Sequence, residues 1–179
     1  DRSPSRGLGD VYKRQVLKLY YAGIEPPPNH HILEIIRQTP HSGLLVDIID
    51  HGQWNNPYVS DELRHYEIMT YCSGGSLDKI NLKGDERKLC EIAKQAAAAI
   101  DFCHKHGFIH RDIKPGNFFF ADESQTQVLL GDFGISVRCD QDGVACTDQA
   151  RTRIYAAPEM YYTVPGENRV EIDTKSCLL

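Results

Sequence analysis

Within eight residues the chain places His110, Arg111, Asp112, Lys114 and Asn117, in the run His-Arg-Asp-Ile-Lys-Pro-Gly-Asn. Fifteen residues after Asn117 comes Asp132-Phe133-Gly134, followed further on by Ala157-Pro158-Glu159. A carboxylate accepts a proton or a hard cation, an amide carbonyl is a second oxygen donor, and an ammonium neutralises an anion. These are parts that phosphoryl transfer needs, because moving a phosphoryl group demands positioning and charge neutralisation more than covalent chemistry.

In that order and spacing the three strings resemble the catalytic loop, the metal-binding triplet and the substrate-loop anchor of the protein kinases. The resemblance implies a role for each residue. Asp112 is the base for a substrate hydroxyl, Lys114 steadies the γ-phosphate as a compact point charge, and Asn117 offers its carbonyl oxygen to one Mg²⁺. Asp132 offers a hard carboxylate to the Mg²⁺ that bridges the phosphates of ATP. Phe133 packs beneath, and His110 supports the loop and Phe133. ATP and Mg²⁺ are the cofactors implied.

Asp-x-Lys-x-x-Asn resembles the serine/threonine members of the family. The run from Thr152 to Glu159 resembles their Thr-Pro-x-Tyr-x-Ala-Pro-Glu, with Arg153 in place of the proline. Thr152 is expected to hydrogen-bond between Asp112 and Lys114. Residues 135–156 would form the activation loop, with Ser136, Thr147 and Thr152 as phosphorylation candidates and Thr147 foremost. Arg111 is the residue expected to pair with such a phosphate. Asp140, Asp142 and Asp148 lack the spacing of a calcium loop and read as solubilising charges. The implied partners are a protein substrate bearing serine or threonine, and an activating kinase or a second copy of the same one.

These groups need elements to hold them. Val16-Leu17-Lys18-Leu19-Tyr20 alternates as a strand does, with Lys18 facing opposite its neighbours. By its place it resembles the Val-Ala-Ile-Lys strand whose lysine holds the α- and β-phosphates. Pro26-Pro27-Pro28 stops the chain and Asn29 is a good N-cap. Ile32, Ile35 and Ile36 then recur at helical spacing until Pro40. This resembles the helix whose glutamate pairs with the strand lysine; Glu34 is its only carboxylate and is expected to pair with Lys18. Residues 43–51 and 64–71 read as strands joined by a turn around Asn55-Asn56-Pro57. Met69-Thr70-Tyr71-Cys72-Ser73-Gly74-Gly75 resembles the hinge between kinase lobes. There Met69 guards the pocket, and Thr70 and Cys72 present backbone carbonyl and amide to the adenine edge. Asp85 caps a long helix carrying Leu89, Ile92, Ala93, Ala96, Ala97, Ile100 and Cys103 on one side, closed by Gly107. Residues 117–120 and 127–130 form a hairpin that presents Asp132.

The resemblance covers residues 16–176 and implies an α+β, protein-kinase-like two-lobed fold truncated at both ends. A small antiparallel-sheet N-lobe with the hinge would occupy 16–72, and a mainly helical C-lobe 73–176. Ser5 to Gln15 resembles the translation of a transposase library adapter, and Cys177-Leu178-Leu179 its inverted copy. Residues 1–15 and 177–179 are therefore read as scars outside the fold. Gly7-x-Gly9 mimics the end of a glycine-rich phosphate loop, but Pro4 and Arg6 stand where that loop needs glycines. Lys18 also follows Gly9 by nine residues, where the family needs about fifteen.

A 179-residue chain with a 41% hydrophobic and 25% charged composition has the make-up of one globular domain. The net charge of −5 gives no electrostatic footprint for nucleic acid. There is no apolar run long enough to span a membrane. Six cysteines without a Cys-x-x-Cys pair read as reduced thiols, and a cytoplasmic location is expected. The function implied is transfer of the ATP γ-phosphate to serine or threonine hydroxyls of proteins, the segment by itself being expected inactive. A scaffold that keeps the fold without catalysis and a small-molecule phosphotransferase are the alternatives. The first usually lacks one of Lys18, Asp112, Asn117 or Asp132, and the second lacks the Ala-Pro-Glu string.

Overall fold

Strand alternation in the first part of the chain builds a three-stranded antiparallel sheet in the order β1-β3-β2. Its strands are β1 (Gln15–Leu19), β2 (Ile48–Asn55) and β3 (Leu63–Thr70). Gln15, expected outside the fold, is instead the first residue of β1, opposite Thr70, because the strand ladder continues one residue further back. The computed structural model describes residues 14–21, 29–55, 63–147, 153–156, 158–161 and 169–173. In the central strand Glu67 lies opposite Lys18 of β1 on one side and His51 of β2 on the other. Directly opposed residues project from the same face, so these three form a row across the sheet.

The strand expected from Gly43 begins only at Ile48. Ser42 and Gly43 have φ of +48° and +71°, the left-handed conformation of a turn and not of a strand. The chain then pairs elsewhere. Val46 N–H donates to the Leu130 carbonyl at 2.9 Å, and Leu130 N–H to the Leu44 carbonyl at 3.0 Å. That bridge joins the first part of the chain to the strand leading into Asp132.

Helix α1 (His30–Gln38) begins where Asn29 Oδ1 accepts the Ile32 N–H at 3.3 Å. Its spacing buries Ile32, Leu33 and Ile36 against the sheet. Helix α2 (Glu86–Lys105) starts at Asp85, whose carboxylate accepts the Lys88 N–H at 2.9 Å. Gly107 follows its end at φ +73°, which only glycine adopts freely. Ile92, Ala99, Ile100 and Cys103 form its buried stripe. Leu89, Ala93 and Ala97, expected on that face, are exposed. A helix covered from one side buries a stripe about 100° wide, and here the cover comes from the strand carrying Val128–Leu130.

Beyond α2 the described chain runs through short ladders. β4 (Phe108–Ile109) pairs with β7 (Val137–Arg138), β5 (Phe118–Phe120) with β6 (Val128–Leu130), and β8 (Val144–Thr147) with β9 (Val170–Asp173). One core unites both parts: Ile32, Leu33 and Ile36 of α1 belong to the same buried cluster as Phe108, Phe120, Leu130 and Phe133. Each fully buried side chain of this size contributes about 2–3 kcal/mol. The loop 110–117 and the Asp132 turn both leave strands fixed in this cluster, which is what sets their geometry.

Candidate active site

The loop after β4 folds around His110. Its Nδ1 accepts the Asp112 N–H at 3.2 Å, and its Nε2 donates to the Gly131 carbonyl at 3.0 Å. One nitrogen accepting and the other donating defines the neutral imidazole. Burial holds the His110 pKa below its ordinary value, which favours that form. Phe133 meets the ring edge-on at 5.0 Å. His110 is thus a buried strut between the loop, Gly131 and Phe133.

Asp112 is held by two neighbours in its own loop. Lys114 Nζ lies 2.6 Å from its Oδ2. Asn117 Nδ2 donates to the same oxygen at 2.9 Å and to the Asp112 backbone carbonyl at 2.7 Å. Both partners of Nδ2 are acceptors, so chemistry alone fixes the amide orientation. A 3-10 turn, Pro115–Asn117, brings Asn117 back to Asp112. Arg111 sits at φ +68° and donates from Nε to the Ile135 carbonyl at 2.5 Å. Non-glycine residues held in this region cluster at functional sites.

Asp132 follows β6 at φ +64°, and its Oδ1 lies 2.5 Å from Lys18 Nζ. The Lys18 ammonium also stands 4.6 Å from the centre of the Tyr20 ring. Tyr20 donates its hydroxyl to Glu67 Oε1. Burial is the main reason the Tyr20 and Glu67 pKa values both rise, with the Tyr20 hydrogen bond and Lys18 pulling Glu67 back down. Gly134 is required for space: a Cβ there would lie 2.8 Å from the Tyr20 hydroxyl and 3.3 Å from Lys18 Nζ.

Glu34 does not pair with Lys18. Its carboxylate accepts from His51 Nε2 at 3.0 Å, from Arg37 at 3.3 Å and from Gln38. The cause is register: Glu34 lies on the turn of α1 that faces His51 of β2, leaving Lys18 to Asp132. Sequence reasoning missed Glu67 and Tyr20. The available signals were period-two alternation, which puts Glu67 on the face of Met69, and the Lys18–Tyr20 spacing, which puts both on one face. It also missed the line of His65, His30 and His51, in contact at 2.7 and 2.9 Å.

At the expected hinge, β3 ends with Met69 and Thr70, both half-buried. The Thr70 N–H donates to the Asp47 carbonyl at 3.1 Å, and its carbonyl is approached by the Cys72 thiol at 3.9 Å. Burial and Asp47 push the Cys72 pKa up to about 11, which disfavours its thiolate at neutral pH. Ser136 is only 4% exposed and donates to the His110 carbonyl at 3.3 Å, so it is no accessible phosphorylation site. Thr147 closes β8. Thr152, Ala157, Gly7, Gly9, Asn56 and Pro57 lie outside the described residues.

No cluster of three or more His, Cys, Asp or Glu side chains arranged for a metal occurs among the described residues. Mg²⁺ on a nucleotide needs less, since one or two protein oxygens suffice beside the phosphates. The Gly131 N–H donates to the Asn117 carbonyl at 2.9 Å, tying the residue before Asp132 to Asn117. Asp132 would supply one carboxylate oxygen and Asn117 one amide oxygen. That donor set is hard and fits Mg²⁺.

The fold and these residues define a protein kinase domain. The family described as protein kinase domain matches residues 48–176, and the chain belongs to it. Calcium-dependent protein kinase 14 of Arabidopsis thaliana is 35% identical over 145 residues, covering 79% of this chain and 25% of that protein. A probable myosin light chain kinase of Dictyostelium discoideum is 30% identical over 147 residues, 78% of this chain and 35% of its own length. The solved structure of the Cydia pomonella granulovirus kinase PK-1 matches with a TM-score of 0.65 at 20% identity. That match covers 83% of this chain and 51% of the viral one, a likeness of fold. The chain thus spans about a quarter of the length of the first of these relatives. No helix among the described residues is long and apolar enough to cross a membrane.

Proposed function

We propose that the protein containing this chain is a serine/threonine kinase that transfers the γ-phosphate of ATP to hydroxyls of protein substrates. The observation that carries the reading is the joint arrangement of Asp112, Lys114 and Asn117, with Asn117 tied through Gly131 to Asp132. A carboxylate able to take a hydroxyl proton with a cation beside it supports the reading, and the side-chain oxygens of Asn117 and Asp132 would be the donors for Mg²⁺. Asp112 is the base, Lys114 the γ-phosphate contact, Asn117 and Asp132 the metal ligands, and Lys18 the α/β-phosphate contact. The backbone of Thr70 and Cys72, with Met69 behind, would receive the adenine. Lys114 two residues after Asp112 supports serine or threonine as the acceptor class. Residues 16–72 and 73–176 are the corresponding parts of the two lobes, and reduced thiols support a cytoplasmic setting.

The test is γ-phosphate transfer from Mg-ATP to a serine/threonine peptide library by the full-length protein, wild type against Asp112→Asn. Transfer by the wild type and its loss in the variant is the expected result. A folded, nucleotide-binding wild type that transfers nothing to peptide would sink the reading and favour a scaffold or a small-molecule phosphotransferase.

A further inference from the structure

We propose that Glu67, in the central strand of the sheet, is the carboxylate that positions Lys18 for nucleotide phosphate, in place of any carboxylate from helix α1. The inference rests on the reading of Lys18 as a phosphate contact.

Four observations carry it. Glu67 is directly opposite Lys18 in the β1–β3 ladder, so both side chains rise from the same face. Tyr20, two residues beyond Lys18, lies under the ammonium and donates its hydroxyl to Glu67 Oε1, linking the three side chains. Glu67 is 1% exposed and its Oε2 has no hydrogen-bond partner among the described residues. A buried carboxylate oxygen left without a donor is costly, and its natural partner is a nearby cation. Finally, α1 offers nothing else: Glu34 is its one acid, and its carboxylate is held by His51, Arg37 and Gln38.

The present ion-pair partner of Lys18 is Asp132, whose side chain is 42% exposed. Asp132 is also the carboxylate proposed to bind Mg²⁺, and it cannot serve the metal and Lys18 with the same oxygen. Glu67 is buried beside the pair and has an oxygen in reserve, so Lys18 keeps an anionic partner when Asp132 turns to the metal. The other groups acting on Glu67 are Asp132 and, from β2, His51, which faces it across the ladder. Glu67 thus connects the strand lysine to the His51–Glu34 contact of α1 by a path that needs no direct Lys18–Glu34 bond.

The test reads nucleotide binding by Lys18, without a transfer assay. Binding of Mg-ATP to the full-length protein is measured by calorimetry for Glu67→Gln, Lys18→Met and the double variant. Glu67→Gln is expected to weaken binding by roughly 3- to 10-fold in the presence of Lys18 and to have no further effect in the Lys18→Met background, the coupling expected of two side chains acting as a unit. Glu67→Asp should restore part of the wild-type affinity, and Glu34→Gln should leave it unchanged. Additive effects of Glu67→Gln and Lys18→Met in folded proteins, or an equal loss in Glu34→Gln, would overturn the proposal. Where Glu67→Gln does not fold, the pair is read from the other side. In Lys18→Met, the Glu67 side-chain carboxyl, followed by carbon NMR, should titrate at higher pH than in wild type, and no change would overturn the proposal equally. Coupling found in a folded protein that transfers no phosphate would count against the kinase reading and leave the Glu67–Lys18 pair standing.

Discussion

Asn117 donates from one amide nitrogen to two oxygens of Asp112, the backbone carbonyl at 2.7 Å and the carboxylate at 2.9 Å. The amide therefore closes the loop and aims the carboxylate in one act, and its own carbonyl oxygen is left for another donor-seeking group. Asn117→Ala should remove both functions. Loss of a hydrogen bond to buried acceptors costs about 1–3 kcal/mol, read as a lower thermal midpoint. The transfer rate should fall on the order of 10²-fold or more, the scale for losing one positioned electrostatic group. A variant with wild-type kcat at saturating Mg²⁺ would refute the assignment.

Gly134 is a prediction about space. The alanine Cβ would meet the Tyr20 hydroxyl at 2.8 Å, and that hydroxyl cannot swing aside without leaving Glu67. Gly134→Ala should cost about 1–3 kcal/mol of stability, as overpacking does, and weaken Mg-ATP binding because Lys18 and Asp132 must also shift. The paired variant Gly134→Ala/Tyr20→Phe removes the obstructing oxygen and should recover part of the stability. Calorimetric unfolding of the single and double variants checks this, and equal stability of Gly134→Ala and wild type would contradict it.

Much of this was legible in the sequence because short strings carried their own geometry. Asn29, Asp85 and Gly107 mark helix ends through local hydrogen bonds and a positive φ, which depend on few neighbours. Asp112, Lys114 and Asn117 contact one another within one short segment, and His110 reaches Gly131 across one hairpin, whereas Asp132 meets Lys18 from 114 residues away. The Glu34–Lys18 pairing failed for a physical reason: it needed the rotation of α1 about its axis, which tertiary packing of Ile32, Leu33 and Ile36 decides. The β2 start failed because residues 44–46 pair with Leu130, a contact 84 to 86 residues away that no local pattern reveals. Glu67 was hidden because an acid within a strand reads as an exposed position until its cross-strand neighbours are known.

Glu34→Gln is accordingly expected to be mild. The side chain stands apart from Lys18, and substitutions of this kind away from a site move free energies by under about 0.5 kcal/mol. The KM for ATP should therefore change by less than about twofold. Steady-state kinetics at varied ATP, with Glu67→Gln alongside, separates the two carboxylates. A tenfold rise in KM for Glu34→Gln would restore α1 as the source of the lysine's partner.

The last prediction concerns acid. His30, His41 and His110 all have pKa values held below 6.5, chiefly by burial, and His30 also by the neighbouring His51 and His65. In the unfolded chain each would titrate at its ordinary value, so below pH 6.5 the unfolded state binds protons that the folded state refuses. The contribution of these histidines to stability is therefore present above pH 6.5 and is lost as pH falls from there through the depressed folded values. Fully buried His110 alone allows a slope of up to about 1.4 kcal/mol per pH unit. Unfolding midpoints measured between pH 7.5 and 5.5 should fall, and the fall should be smaller in His30→Gln, which removes the central member of the histidine line. A midpoint that stays level or rises over this range would show that the three imidazoles charge freely in the folded protein.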